Sequence, residues 1–231
     1  MKVAVITPYY AEDTAALTRC HMSVKMQTYQ NCVHIMVADG DPHPMVAKWK
    51  DIEHITLSQC HHDAGATPRA IGAISAFSRG FDAVAFLDAD NTYTVDHLKT
   101  MVDLIGNNDV VTATRNICTV AGDLLYVDTI ESNGEQFCDT NCMFFTKDLL
   151  HLLPSWITAP ENRLWSDRYF WAAVIQNNFR RVHSSTPTVN YHSRWAWHYQ
   201  HAGKTPPEGS VWIATASDGT LIHQQHQHTV S

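Results

Sequence analysis

The sequence predicts an α/β fold with a mostly parallel, Rossmann-like sheet and helices on both faces. Two observations carry this. Short apolar runs recur through the first 115 residues, and most are followed by a stretch with apolar residues at helical spacing. The runs also end in polar or acidic residues: Thr7, Asp39, Asp88 and Asp90 all fall at predicted carboxyl ends. Ligands of such sheets bind at those ends.

The elements follow in order. Residues 2–7 form an apolar first strand, broken by Pro8-Tyr9-Tyr10. Residues 12–27 carry Leu17, Cys20 and Val24 at helical spacing, with acidic residues in the first turn. A second strand, 33–37, runs into Ala38-Asp39-Gly40-Asp41-Pro42, which must turn. Residues 44–50 fit a short helix, 52–57 a weaker third strand, and 67–79 a small-residue helix with Pro68 in its first turn. The fourth strand is 84–87. A helix over 94–105 and a fifth strand over 109–113 complete the pattern.

Beyond residue 115 the alternation stops. Residues 116–136 read as loop, 137–146 as a strand, and 147–153 as a short helix stopped near Pro154. Residues 167–176 form an aromatic-rich helix with Ser166 at its N-cap, and 181–183 and 188–191 add strands. The last forty residues show little periodicity, and the tail from about residue 215 reads as flexible. With no repeat and no linker, we expect one domain over 1–231: a nucleotide-binding half (1–115) and a mixed half (116–231) that completes the site.

Composition narrows the function. A net charge of −7 lacks the basic face a nucleic-acid binder needs. No apolar run reaches the ~18 residues of a membrane span, and the start lacks a signal-peptide pattern. The six cysteines are scattered through apolar contexts without a CxxC, so reduced thiols and a cytoplasmic location are expected. Cys60-His61-His62-Asp63 has no second ligand pair at zinc-site spacing. His223, His226 and His228 lie in a polar, Gln-rich end.

The chemistry centres on residues 81–96, where Val84-Ala85-Phe86-Leu87 leads into Asp88-Ala89-Asp90. Two carboxylates at i and i+2 cannot both enter an apolar core unpaired. At a strand end they can hold a hard divalent cation and a hydroxylated ligand; the plainer reading is an acidic turn before a helix.

Four stretches together resemble glycosyltransferase family 2, with its GT-A fold. Residues 22–31 followed by VHIMVADGDP resemble the family's helix end and acidic turn, and Gly65–Gly72 its Gly-rich, Arg-containing segment. FLDADNTYTVDHL is similar to its DxD stretch, and Leu164–Trp171 to the start of its catalytic helix. They run in order from residue 3 to about residue 191. In this chain Ala38-Asp39 replaces a paired Asp-Asp, Ser166-Asp167 replaces Glu-Asp, and Ala70 stands where Asn is usual.

The resemblance implies transfer of a sugar from a nucleotide-diphosphate sugar, with uracil as the expected base, to an acceptor hydroxyl on a glycan or other molecule. It implies that Thr7, Pro8, Tyr9 and Asp39 hold the nucleobase, with Asp63 and Arg69 beside the base and diphosphate. It further implies that Asp88 and Ala89 meet the ribose, and that Asp90, with Asp88, holds Mn²⁺ or Mg²⁺. His192 is the first choice for a further metal ligand and His198 the second. Asp167 is the expected general base of an inverting reaction. Trp165, Tyr169 and Trp171, with His198, could wall the acceptor site or belong to the core. Each acidic residue also has a plainer reading as a turn or helix cap, and Arg69 as a surface charge. A sugar-phosphate nucleotidyltransferase is the alternative enzyme, although TPYYAEDTA lacks the Gly-rich basic loop expected after its first strand. A non-catalytic nucleotide-sugar or glycan-binding module is the alternative outside enzymes. Oligomeric state is open, as is peripheral membrane contact.

Overall fold

The computed structural model describes residues 1–158, 166–215 and 221–225. The expectations for Trp165, His226 and His228 lie outside the described residues.

Four parallel strands form the first half of the main sheet: β1 (Val3–Tyr9), β2 (Cys32–Ala38), β3 (Glu53–Thr56) and β4 (Ala83–Phe86), in spatial order β3-β2-β1-β4. β1 and β4 are buried throughout, which explains their unbroken apolar runs. Helices α1 (Thr14–Lys25), α2 (Ala66–Ser78) and α3 (His97–Ile105) fall within two or three residues of the sequence expectations. Asp13 caps α1 by accepting from the Ala16 N–H at 2.7 Å. Buried Gln27 joins α1 to α3: its amide donates to the Thr94 carbonyl at 2.7 Å and accepts from the Leu98 N–H at 2.8 Å.

The second half departs from a simple parallel series. After β4 come β5 (Thr92–Tyr93), β6 (Val110–Cys118), β7 (Leu124–Asp128), β8 (Met143–Thr146) and β9 (Arg181–His192). β8 lies antiparallel between β4 and β6, so the expected fifth strand, now β6, is not a neighbour of the fourth. β9 is one strand rather than two, pairing parallel to β6 with register shifts near Pro187. Its far end pairs with β5, drawing His192 toward the Asp88-Ala89-Asp90 turn. Residues 116–136 were expected to be loop; β6 extends into them and β7 pairs back onto it. The expected strand over 137–146 is a 3₁₀ turn, Thr140–Cys142, followed by β8. Helix α4 (Pro154–Ile157) is short, and α5 (Ser166–Gln176) takes Ser166 as its first residue rather than its cap. Helix α6 (Ala196–His201) and the hairpin of β10 (Val211–Thr215) and β11 (Leu221–Gln225) form in the weakly periodic end. All six cysteines are free thiols. Among the described residues no helix is long and apolar enough to cross a membrane.

Close packing of α2 on the sheet sets up the site, because the amino end of α2 carries Arg69. At Gly72 an added Cβ would stand 2.6 Å from Ile6 Cγ2 and 3.0 Å from Val37 Cγ2. Gly72→Ala is therefore expected to destabilise the fold by about 1–3 kcal/mol through overpacking. Urea unfolding with an unchanged midpoint would show that the helix withdraws freely.

Candidate active site

A cleft of about 330 Å³ opens at the carboxyl ends of β1, β2 and β4. Its walls come from three strand-end segments and the start of α2. Pro8 and Tyr9 end β1, Tyr10 and Glu12 follow it, and Asp39 follows β2. Asp88, Ala89 and Asp90 follow β4, residues from Cys60 to Gly65 lead into α2, and Pro68 and Arg69 lie in its first turn. Gly65 has φ +83°, a backbone state that favours glycine, and a Cβ there would crowd Pro8 and the Arg69 guanidinium. Gly40 plays the same part after β2, where a Cβ would collide with the Cys60 backbone.

Asp88 and Arg69 form the centre of the cleft. Arg69, 4% exposed, donates to Asp88 Oδ1 at 2.6 Å. Asp88 Oδ2 accepts from Asn141 Nδ2 at 2.9 Å. Asp90 carries no such cation: its carboxyl is pushed up to about 7, chiefly by burial and then by the charges of Asp88 and Glu12. Arg194 partly offsets this, and Arg19 reaches the Asp90 carbonyl at 3.5 Å. Excess negative charge on hard oxygen donors suits a divalent cation, so Asp90 fits the expected metal.

Asp39 is held from the β3–α2 connection. Its Oδ1 bonds His61 Nδ1 at 2.6 Å, and its Oδ2 accepts from the His61 N–H at 3.1 Å and the Cys60 thiol at 3.5 Å. Asp63 Oδ2 caps α2 by accepting from the Thr67 N–H at 2.9 Å and the Thr67 hydroxyl at 2.5 Å. Asp63 Oδ1 and Arg69 Nε are buried without a protein partner, on two residues that line the cleft. Such unpaired buried groups are uncommon and ask for a ligand or water.

Several expected residues stand elsewhere. The Thr7 side chain is fully buried away from the cleft; its hydroxyl bonds His34 Nε2 at 2.8 Å. Tyr9 lines the cleft but is stacked on His54, and its hydroxyl bonds His54 Nε2 at 2.7 Å; Tyr10 beside it is exposed. The backbone of His192 is tied to the end of the Asp88-Ala89-Asp90 turn, its N–H donating to Asn91 Oδ1 at 2.8 Å. The His192 imidazole, however, faces the Thr92 hydroxyl at 3.3 Å and the Val120 carbonyl at 3.4 Å. With Asp88 engaged by Arg69 and Asn141, the expected Asp88–Asp90–His192 ligand set is not assembled. Among the described residues no group of three or more His, Cys, Asp or Glu is arranged to hold a metal ion. His198 is buried, bonded to the Ser193 hydroxyl at 2.5 Å and near Glu131 at 3.9 Å, so it is no open acceptor contact. Trp171 is likewise core: Phe170, Trp171 and Val174 share the buried face of α5, and the Trp171 indole donates to the Glu135 carbonyl at 3.3 Å. Tyr169 is exposed.

Asp167 is the second residue of α5, and its Oδ1 accepts the Arg168 N–H at 2.7 Å. Its carboxyl is pushed up to about 7, first by burial and then by the charge of Asp139, against the pull of Arg168 and Arg69. Asp167 is not among the residues lining the cleft. A carboxyl poised near neutrality suits a general base.

The family model described as Glycosyl transferase family 2 matches residues 4–162. The chain belongs to glycosyl transferase family 2. Among curated proteins, it is 31% identical over 104 residues to the succinoglycan biosynthesis protein ExoW of Rhizobium meliloti (strain 1021), covering 42% of this chain and 32% of that protein. Among solved structures, S. aureus TarS 1–349 in complex with UDP matches with a TM-score of 0.63 at 16% identity, over 87% of this chain and 63% of that one. The same TarS fragment with UDP-GlcNAc matches with a TM-score of 0.64 at 16% identity, over 84% and 59%. The fold is GT-A. The family 2 chain described here spans about a third of ExoW and under two thirds of the TarS fragment.

Sequence reasoning missed the residues behind the family 2 acidic turn: Arg115, Asp139 and Asn141. Only a lone Arg amid apolar β6 and an unusually polar Asp139-Thr140-Asn141 before β8 could have flagged them.

Proposed function

We propose that the protein transfers a sugar from a uridine diphosphate sugar to an acceptor hydroxyl, in one inverting displacement aided by Mn²⁺ or Mg²⁺. The observation that carries this reading is the cleft itself. It combines the Arg69–Asp88 pair, the only partly compensated Asp90 and two buried, unpartnered polar atoms at the carboxyl ends of a parallel sheet. Family membership, and the UDP and UDP-GlcNAc named for the TarS complexes, support a nucleotide-sugar donor.

Each residue has a role. Asp39, oriented by His61, keeps acceptor capacity for a ring N–H, as a carboxylate offers about four lone-pair sites. Uracil N3 carries such a proton; cytosine N3 is an acceptor and would be repelled. Arg69 and Asp63 offer the buried donor and acceptor beside the base and diphosphate. Asp90 would hold the divalent ion, whose chemistry when bound is Lewis-acid neutralisation of the leaving diphosphate. Asp167 takes the proton of the attacking hydroxyl.

A thermal-shift screen of nucleoside diphosphates with and without Mn²⁺ tests the donor. UDP with Mn²⁺ is expected to stabilise the protein, by about 2.7 kcal/mol at a hundredfold excess over Kd. A clear shift with CDP or GDP and none with UDP would overturn the nucleobase assignment. UDP-GlcNAc is the first sugar donor to try, and its hydrolysis without acceptor separates an enzyme from a binding module.

A further inference from the structure

Buried behind the acidic turn is a polar network that the catalytic roles above leave unused. Arg115, 2% exposed, is held by three carboxylates: Asp128 at 2.8 Å, Glu131 at 2.6 Å and Asp139 at 2.6 Å. Asp139 Oδ1 in turn accepts from the Asn141 backbone N–H at 2.9 Å and from Asn141 Nδ2 at 2.8 Å. Asn141 is 1% exposed and sits in the turn that enters β8, the strand paired with β4. Its side chain grips Asp88 twice. Oδ1 accepts the Asp88 backbone N–H at 2.7 Å, and Nδ2 donates to Asp88 Oδ2 at 2.9 Å.

The chemistry allows one orientation of this amide. Turned over, its oxygen would face two carboxylates and its NH₂ would face an N–H donor. Aspartate of the same shape would set a further anion against Asp88 and Asp139. Asparagine alone among residues of this size both accepts from the turn backbone and donates to two carboxylates.

We propose that Asn141, anchored through Asp139 to Arg115, is a positioning residue that fixes Asp88 for the nucleotide-sugar donor. This rests on the donor site proposed above and extends it. Arg69 holds Asp88 Oδ1 and Asn141 holds Oδ2, so the carboxylate keeps one rotamer and presents its remaining lone pairs in fixed directions. The division of labour follows: Asp88 is committed to the donor, and Asp90 is left as the carboxylate free to take a cation.

The test measures the Kd of UDP in the presence of Mn²⁺ by titration calorimetry, with urea unfolding run in parallel. Asn141→Ala is expected to weaken UDP about 10- to 100-fold, the scale of a misplaced contact. Asn141→Ser leaves a hydroxyl in the turn too short to hold both Asp88 groups, and is expected to weaken UDP in the same direction should Asn141→Ala not fold. Asp109→Ala removes the Arg180 ion pair at the opposite, amino end of β6 and reports destabilisation alone; its UDP Kd is expected to be unchanged. In an Asp88→Ala background the Asn141 substitutions are expected to have no further effect, since a residue acting through Asp88 cannot act without it. Parent-like UDP binding by the folded Asn141 variants, or full additivity with Asp88→Ala, would overturn the proposal. Failure of the parent itself to bind any nucleoside diphosphate would instead remove the donor site on which it rests.

Discussion

Asp167→Asn is expected to lower kcat by about 10²–10⁴-fold, the usual cost of losing a general base. The Kd of UDP should change little, because the cleft proposed for the donor is built from the strand ends and the start of α2. The pH dependence sharpens this. Burial and the Asp139 charge raise the Asp167 carboxyl to about 7, and a base works only when ionised. With Mn²⁺ and donor saturating, so that Asp90 is already ionised, kcat of the parent should therefore climb with pH up to about 7 and level above it; in Asp167→Asn that limb should be lost. Product stereochemistry is the independent readout, measured by NMR of the new anomeric centre. Inversion is expected, since the sequence shows no second carboxylate in a matching context to act as nucleophile. A retained configuration would exclude the mechanism even if Asp167→Asn were inactive.

Asp90→Asn is expected to abolish the Mn²⁺-dependent part of UDP binding while leaving the fold intact, since a neutral amide is a poorer ligand of nearly the same shape. Linkage adds a consequence of opposite sign for stability. The Asp90 carboxyl is raised to about 7, so the folded chain keeps a proton that the unfolded chain releases near 4. The ligand-free parent should lose stability as pH rises through that window and regain it when Mn²⁺ and UDP bind. Asp90→Asn lacks the ionising group, so its ligand-free stability should vary less over the same range and exceed the parent's at pH 8. Thermal unfolding from pH 4 to 8, with and without Mn²⁺ and UDP, reads both effects. Parent-like binding of UDP with Mn²⁺ by the variant would mean that Asp90 is not the ligand.

The sequence by itself determined the first half of the sheet and the acidic centre. Apolar runs such as Val3–Ile6 and Val84–Leu87, too short for helices and bounded by turn residues, suit strands buried on both faces. A right-handed parallel series then brings their polar ends, Asp39, Asp88 and Asp90, to one side. These are local properties of short segments, which is why boundaries and residues were legible there together. The tertiary structure decided the rest. β8 inserted antiparallel between β4 and β6 because pairing partners in a mixed sheet are set by side-chain packing between distant segments, which periodicity does not encode. Thr7 turned from the cleft to bond His34, and Tyr9 was taken up by His54, because strand alternation fixes which face each residue meets. Trp171 and His198 went to the interior, since aromatic bodies gain more from burial than from an open wall. Asn141 reached Asp88 across fifty-three positions of sequence. Hydrogen-bond complementarity of that kind is a property of the folded interior, where a buried amide must find its partners, and nothing in the local sequence specifies which ones it finds.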